Sequence, residues 1–76
     1  MEISKKVGMY CKVFRQNYLK ISQSEIADMN GVTQALISQW ENGKIKDINF
    51  LNYYLEPCNE NEKKILVELI ENGLTK

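Results

Sequence analysis

The sequence has no histidine, a single proline and only two cysteines in 76 residues. Without histidine, the chain lacks the usual general base of enzymes and the commonest metal ligand. Cys11 and Cys58 cannot supply the four ligands of a structural zinc site, and the acidic residues are scattered along the chain. These absences predict a protein that is not an enzyme and uses no metal or other cofactor.

Long apolar runs are also missing. No stretch approaches the roughly 18 to 20 apolar residues that cross a bilayer, and the N-terminus lacks the apolar segment of a secretory signal. We therefore expect a cytoplasmic protein without a membrane partner, in which both cysteines remain reduced.

The length allows one domain with one small core, so we expect a single domain over residues 1–76. The formal net charge is zero, but the charges are unevenly placed. Residues 1–46 carry seven basic and four acidic side chains, which gives +3, whereas residues 47–76 carry three and six, which gives −3. A basic first half indicates contact with an anion such as nucleic acid, although ordinary solvated surface also explains so small a difference.

Apolar residues recur at spacings of three and four near the N-terminus, which predicts a first amphipathic helix over residues 4–18. Ser22 and Glu25 form a capping-box pattern that starts a second helix. Asn30-Gly31 ends it, because both residue types tolerate the left-handed backbone of a sharp exit.

Three further helices follow. Thr33 is the expected N-cap of the third, which ends at residues 42–43. Asp47 caps a short fourth helix that Pro57 terminates, and residues 59–74 form the fifth. The fourth helix has an apolar stripe of Ile48, Leu51, Tyr54 and Leu55, with Phe50 off it. The sequence therefore predicts an all-α fold of five helices.

Residues 23–43 carry the functional signal, because two short helices around a turn at Gly31 have the layout of a helix-turn-helix. In projection, Leu36, Ile37 and Trp40 fall on one side of the third helix. The other side carries Gln34, Ala35, Ser38, Gln39 and Asn42. Glutamine can bond adenine at N6 and N7, and alanine can touch a thymine methyl. A solvated polar face explains the same pattern.

The residues at fixed spacing are Gln23-x-x-Ile26-Ala27-x-x-x-Gly31-Val32-Thr33-x-x-x-Ile37-Ser38-x-Trp40-Glu41-x-Gly43. This pattern resembles the helix-turn-helix of the phage repressor and Cro family, also called the xenobiotic-response-element (XRE) family. The resemblance extends over roughly residues 7–55. It implies a compact five-helix, lambda-repressor-like DNA-binding domain, usually a homodimer, that represses transcription at palindromic operators.

By the same resemblance, residues 33–42 form the recognition helix in the major groove. The residues implied to face bases are Thr33, Gln34, Ala35, Ser38 and Gln39. Gln34 is similar to the family glutamine that reads adenine, and Gln23 to the one that holds a phosphate and braces it. Asn42, Lys44 and Lys46 match positions near the DNA backbone.

Glu41 matches a structural acid that the family usually pairs with an arginine of the first helix. Gln16 stands at that arginine position, with Arg15 beside it. Glu41 is therefore expected either to bond an amide or to be reached by Arg15 from the side.

The fifth helix has an apolar arc of about 200°, wider than the stripe of about 100° that one neighbour covers. We expect the excess to pair with a second copy about a two-fold axis. The expected dimer interface is Tyr53, Tyr54, Leu66, Val67, Ile70 and Leu74. The alternative is that helices one and four cover this surface.

The leading hypothesis is a sequence-specific double-stranded DNA-binding regulator, a repressor that acts as a homodimer on a pseudo-palindromic operator and is found at the nucleoid. The alternative is a protein-binding module, such as an antitoxin, whose acidic C-terminal half engages a partner protein.

Overall fold

The computed structural model describes residues 3–45 and 47–74, which form helices joined by short turns. The α-helices are α1 (Ile3–Phe14), α2 (Gln23–Asn30), α3 (Gln34–Glu41), α4 (Leu51–Leu55) and α5 (Glu60–Leu74). No β-strand occurs within the described ranges. The predicted all-α fold of five helices is confirmed.

The first helix is not a regular α-helix to Tyr18, as the sequence predicts. From Arg15 to Leu19 the chain continues as a π-helical turn. Lys20 closes this turn in the left-handed conformation (φ 55°), with its N–H donating to the Arg15 carbonyl oxygen at 2.7 Å. Phe14, at the end of α1, and Arg15, at the start of the π turn, are both buried.

Polar caps hold α2 and α3 where the sequence places them. Ser22 and Glu25 form the predicted capping box, in which the Glu25 N–H donates to Ser22 Oγ at 3.1 Å and the Ser22 N–H donates to Glu25 Oε1 at 2.9 Å. Thr33 accepts the Leu36 N–H at 3.3 Å. Gly31, in the left-handed conformation (φ 67°), ends α2 and begins the turn into α3.

The segment after Asp47 begins as a 3₁₀ turn and not as the regular helix that the sequence predicts. Asp47 caps a 3₁₀ turn over residues 48–50, which precedes α4. A 3₁₀ turn advances about 120° per residue instead of about 100°, so Ile48 leaves the predicted apolar stripe, whereas Leu51, Tyr54 and Leu55 pack in or against the core as predicted. Ile48 is exposed, whereas Phe50 is half-buried and stacks on Trp40 with ring centroids 5.5 Å apart.

The helix α1 packs against both α3 and α5. The largest fully buried side chains are Val7, Cys11, Phe14, Ile26, Ile37, Trp40, Tyr54 and Leu66. At the contact with α3, Gly8 touches backbone: a Cβ at this position would overlap the carbonyl oxygen of Trp40. Only glycine therefore allows α1 and α3 to approach this closely.

The single chain itself covers much of the apolar surface of α5. Leu66 is fully buried, Ile70 is nearly so, and Tyr54 of α4 has no exposed surface. The expectation that these three residues form a dimer interface is wrong, because they belong to the core of one copy. The contact of α1 with α5 accounts for part of the wide apolar arc.

Candidate nucleic-acid interface

The exposed side of α3 carries the side chains that the sequence predicts to read bases. They are the exposed Thr33, Gln34, Ala35 and Gln39 and the half-buried Ser38. On the other side, Ile37 and Trp40 are fully buried, whereas Leu36, predicted to lie with them, is exposed. We call Thr33, Gln34, Ala35, Ser38 and Gln39 the reading face; none of these five side chains is charged.

Two glutamines, one from α2 and one from α3, meet at the edge of the reading face. Gln34 Nε2 lies 3.5 Å from Gln23 Oε1, to which it donates. The half-buried Gln23 in turn donates from Nε2 to Glu41 Oε1 at 3.0 Å. The contact between the glutamines is the brace that the resemblance implies. The hydrogen bond from Gln23 to Glu41 connects this brace to the end of α3.

The buried Glu41 carboxylate, at the end of α3, accepts bonds from three side chains. Arg15 donates from Nε at 2.8 Å and from Nη2 at 3.0 Å. Gln23 donates at 3.0 Å, and the Tyr54 hydroxyl donates at 2.7 Å. A carboxylate has about four lone-pair sites, so each site has a donor. Glu41 therefore joins α2, α3, α4 and the π turn. We call the four residues Arg15, Gln23, Glu41 and Tyr54 the Glu41 network.

The charges in the Glu41 network are fixed by these contacts. Burial alone would raise the pKa of Glu41, but the hydrogen bonds from Arg15, Gln23 and Tyr54 and the charge of Arg15 lower it below its usual value. Burial, followed by the bond to Glu41, raises the pKa of Tyr54. The bond to Glu41 raises the pKa of Arg15 against the effect of burial. At neutral pH the network holds a carboxylate, a guanidinium and a neutral phenol.

The π turn explains why Arg15, and not position 16, faces Glu41. Gln16 is exposed, while Arg15 is buried and also donates from Nη1 to the Ile21 carbonyl oxygen at 2.8 Å. Both expectations for Glu41 are correct in part, because it bonds Arg15 and also an amide, which belongs to Gln23. One extra residue in the π turn shifts the arginine by one position relative to the family pattern.

The residues predicted to contact phosphate border the reading face, as far as the structure describes them. Gln23 lies at its edge. Asn42 is exposed at the end of α3, with its Nδ2 3.4 Å from Ser38 Oγ, and Lys44 is exposed two residues further on. Lys46 lies outside the described residues.

Sequence reasoning did not identify two lysines of α1 that lie near the end of α3. Lys6, Met9 and Lys12 line a cleft of about 400 Å³ together with Glu41 and Asn42. This places two basic side chains beside a residue predicted to contact phosphate. The signal in the sequence was the absence of any acidic residue from Ile3 to Phe14.

The remaining residues of the expected dimer interface have mixed environments. Val67 is exposed, and Tyr53 is half-buried, with its ring edge-on to Phe50 at a centroid distance of 5.1 Å. The side chain of Leu74 lies outside the part of the chain that the structure describes. Val67 shares an open surface of α5 with Glu60, Lys63, Lys64, Glu68 and Glu71.

The described residues give no support for a metal site, a reactive thiol or a membrane span. Among them, no three cysteine, aspartate or glutamate side chains are grouped so that they could hold a metal ion. Cys11 and Cys58 are free thiols, and burial raises their pKa values to about 12 and about 11, which keeps both protonated at neutral pH. None of the described helices combines the length and the apolar character of a membrane span.

The turn between α2 and α3, with an exposed polar side on the second helix, defines a helix-turn-helix protein. A family model described as helix-turn-helix matches residues 14–52, from the end of α1 into α4. The chain belongs to this helix-turn-helix family of the XRE type, a family of DNA-binding regulatory domains. Searches of curated proteins and of solved structures give no match.

Proposed function

We propose that the protein is a transcriptional repressor that binds a pseudo-palindromic operator in double-stranded DNA as a homodimer. The observation that carries the proposal is the uncharged polar reading face of α3, which the Glu41 network holds against the rest of the domain. The base-reading residues are Thr33, Gln34, Ala35, Ser38 and Gln39. Gln34 pairs with adenine through two hydrogen bonds, and Ala35 contacts a thymine methyl.

Phosphate contacts come from residues around the reading face and fix its register on the duplex. Gln23, Asn42, Lys44 and Lys46 supply them in this proposal. Lys6 and Lys12 extend the contacts along α1, because they line the cleft that reaches Asn42. So few basic groups give one subunit weak, salt-dependent binding, and two subunits on half-sites about 34 Å apart combine their contacts.

The homodimer in this proposal pairs the open surface of α5 with the same surface of a second copy. In an antiparallel pair centred on Val67, Lys63 lies opposite Glu71 of the second copy, since the two positions are equally far from Val67. The exposed Val67 supplies the apolar centre, and Tyr53 and Leu74 remain predictions of the sequence for this interface. Self-complementary charge of this kind is what a two-fold interface requires.

The test is fluorescence anisotropy with a duplex selected by the protein from a random pool, beside a scrambled duplex, across a series of salt concentrations. We expect tight, cooperative binding to the selected duplex alone. Gln34→Ala should weaken that binding at least about tenfold, because a bidentate base contact contributes about 1–3 kcal/mol. Asn61→Ala removes an exposed amide of α5 and serves as the control.

Two results would overturn this proposal. Equal weak binding to both duplexes that disappears at moderate salt would leave only non-specific contact. An unchanged affinity and base preference in Gln34→Ala would remove α3 from the reading role. Sedimentation of the protein before and after Val67→Asp tests the dimer, which the buried charge should dissociate.

The second candidate is an antitoxin-like module that neutralises a partner protein. It is favoured by the exposed acids Glu60, Glu68 and Glu71 on α5, which suit a basic partner. This candidate predicts a stable complex with the product of a neighbouring gene. Substitution of the three acids by glutamine would then abolish the complex and spare DNA binding.

A further inference from the structure

A chain of hydrogen bonds runs from the buried end of α3 to the reading face. It begins at Glu41, passes to Gln23 at 3.0 Å and continues to Gln34 at 3.5 Å. Each amide in such a chain can in principle point either way, since its oxygen accepts and its nitrogen donates. The direction of the whole chain depends on the group at its buried end.

The ionised Glu41 carboxylate sets that direction, because it can only accept hydrogen bonds. Gln23 must therefore turn Nε2 toward Glu41, and its Oε1 is left for its other neighbour. Gln34 faces this oxygen and must supply Nε2. The buried acid thus determines which end of the Gln34 amide points at Gln23.

The Gln34 amide then has one N–H and its Oε1 left to offer to DNA. Adenine presents one acceptor, N7, and one donor, the N6 amino group, in the major groove. These match a free N–H and a free oxygen. Guanine presents two acceptors, N7 and O6, so one of them would face Gln34 without a donor.

We propose that Glu41 is a positioning residue that, through Gln23, orients the Gln34 amide so that the protein prefers adenine to guanine at the base pair that Gln34 reads. This inference rests on the proposed function. If this series of hydrogen bonds ran in the opposite direction, Gln23 would donate to Gln34 Oε1. Gln34 would then offer both of its N–H groups to the groove, as the two acceptors of guanine require.

The test compares adenine and guanine at one base pair. A site is first selected from a random duplex pool with the unaltered protein, and the base pair read by Gln34 is the one whose preference disappears in Gln34→Ala. Dissociation constants are then measured for duplexes that differ only there, with Gln23→Met and Glu41→Leu. Tyr54→Phe is the matched control, because it removes a donor to Glu41 Oε2 and leaves the acceptor for Gln23 in place.

We expect the unaltered protein and Tyr54→Phe to prefer adenine about tenfold or more, the size of one bidentate contact. Gln23→Met and Glu41→Leu, which leaves no acceptor for Gln23, should reduce this ratio to within about twofold, with base preferences at the other positions retained. Circular dichroism and thermal melting establish that each variant is folded at the temperature used. Gln23→Met leaves the buried pair of Arg15 and Glu41 intact and is informative even if Glu41→Leu unfolds.

The outcomes separate this inference from the proposed function. An unaltered protein without sequence preference contradicts the proposed function itself. A folded Gln23→Met that keeps the full preference for adenine overturns the positioning chain, as does a folded Glu41→Leu that keeps it. Loss of the preference in Tyr54→Phe would also overturn it, because any damage to the network would then have the same effect.

Discussion

The helix α1 is held against α3 and against α5 in different ways. At α3, Gly8 meets a backbone carbonyl, and Arg15, just beyond α1, donates to the buried Glu41. At α5, Gly73 faces the ring of Tyr10, so side chains make the contact. A ring can rotate to relieve strain, whereas a helix carbonyl cannot. At these two contacts α3 is therefore fixed more rigidly than α5, which is what accurate placement of the proposed reading face requires.

The largest expected effect comes from breaking the Glu41 network. Arg15→Ala should lower the free energy of unfolding by about 3–5 kcal/mol, because it leaves a buried carboxylate without its charge partner. For a domain of this size that is a large share of the total stability. The measurement is urea denaturation followed by circular dichroism.

The control is Gln16→Ala at the neighbouring exposed position, which should change the free energy of unfolding by less than about 0.5 kcal/mol. The reverse result, with Gln16→Ala severe and Arg15→Ala mild, would contradict the register of the π turn.

The next effect distinguishes the two helix contacts of α1. Gly8→Ala should lower the free energy of unfolding by about 1–3 kcal/mol, since the added methyl overlaps the Trp40 carbonyl oxygen and forces the backbones apart. Gly73→Ala should change it by less than about 1 kcal/mol, because the Tyr10 ring can move and alanine favours the helix. Thermal melting of both variants measures the difference, and equal shifts would mean that the two contacts are alike.

A pH titration tests the contribution of Glu41, which belongs to the contact of α1 with α3 and not to that with α5. The pKa of Glu41 is lowered in the folded protein, so its contribution to stability is present above the unfolded value of about 4.5 and is lost as the pH falls through the folded value. We expect the urea midpoint to fall more steeply below pH 4.5 in the unaltered protein than in Glu41→Gln, which is less stable at pH 7. Parallel curves for the two proteins would show that Glu41 does not contribute in this way.

The smallest effect concerns Lys6 and Lys12, two half-buried lysines of α1. Lys6→Ala and Lys12→Ala should each reduce by about two the slope of log affinity against log salt concentration, because each removes one phosphate contact from each subunit of the proposed dimer. Lys6→Arg and Lys12→Arg keep the positive charge at the same positions, so they are the matched controls and should keep the slope. An unchanged slope in Lys6→Ala and Lys12→Ala would contradict these phosphate contacts.

The sequence predicts best those features that depend on neighbours along the chain. The capping box of Ser22 and Glu25, the cap at Thr33 and the left-handed exit at Gly31 are all confirmed. Each depends on a side chain and the backbone within a few residues. The same local patterns place the reading face on the exposed side of α3.

The features that sequence reasoning did not predict depend on tertiary packing. The π turn at Arg15–Leu19 changes which residue faces Glu41, and the 3₁₀ turn before α4 changes the exposure of Ile48. Tyr54 and Leu66 have the same apolar periodicity whether their cover is a second copy or α1 of the same chain. Periodicity shows that a face is apolar, but it does not show which element covers it.

The most direct test of the central claim, that α3 is the surface that reads DNA, is an NMR titration with the selected duplex that follows the side-chain amide signals of Gln34 and Gln39. We predict large shifts of both signals on binding, with smaller changes for a scrambled duplex at the same salt concentration. The exposed amide of Asn61 on α5 serves as the internal reference. Unchanged signals from Gln34 and Gln39 in a protein that binds the duplex would contradict the claim.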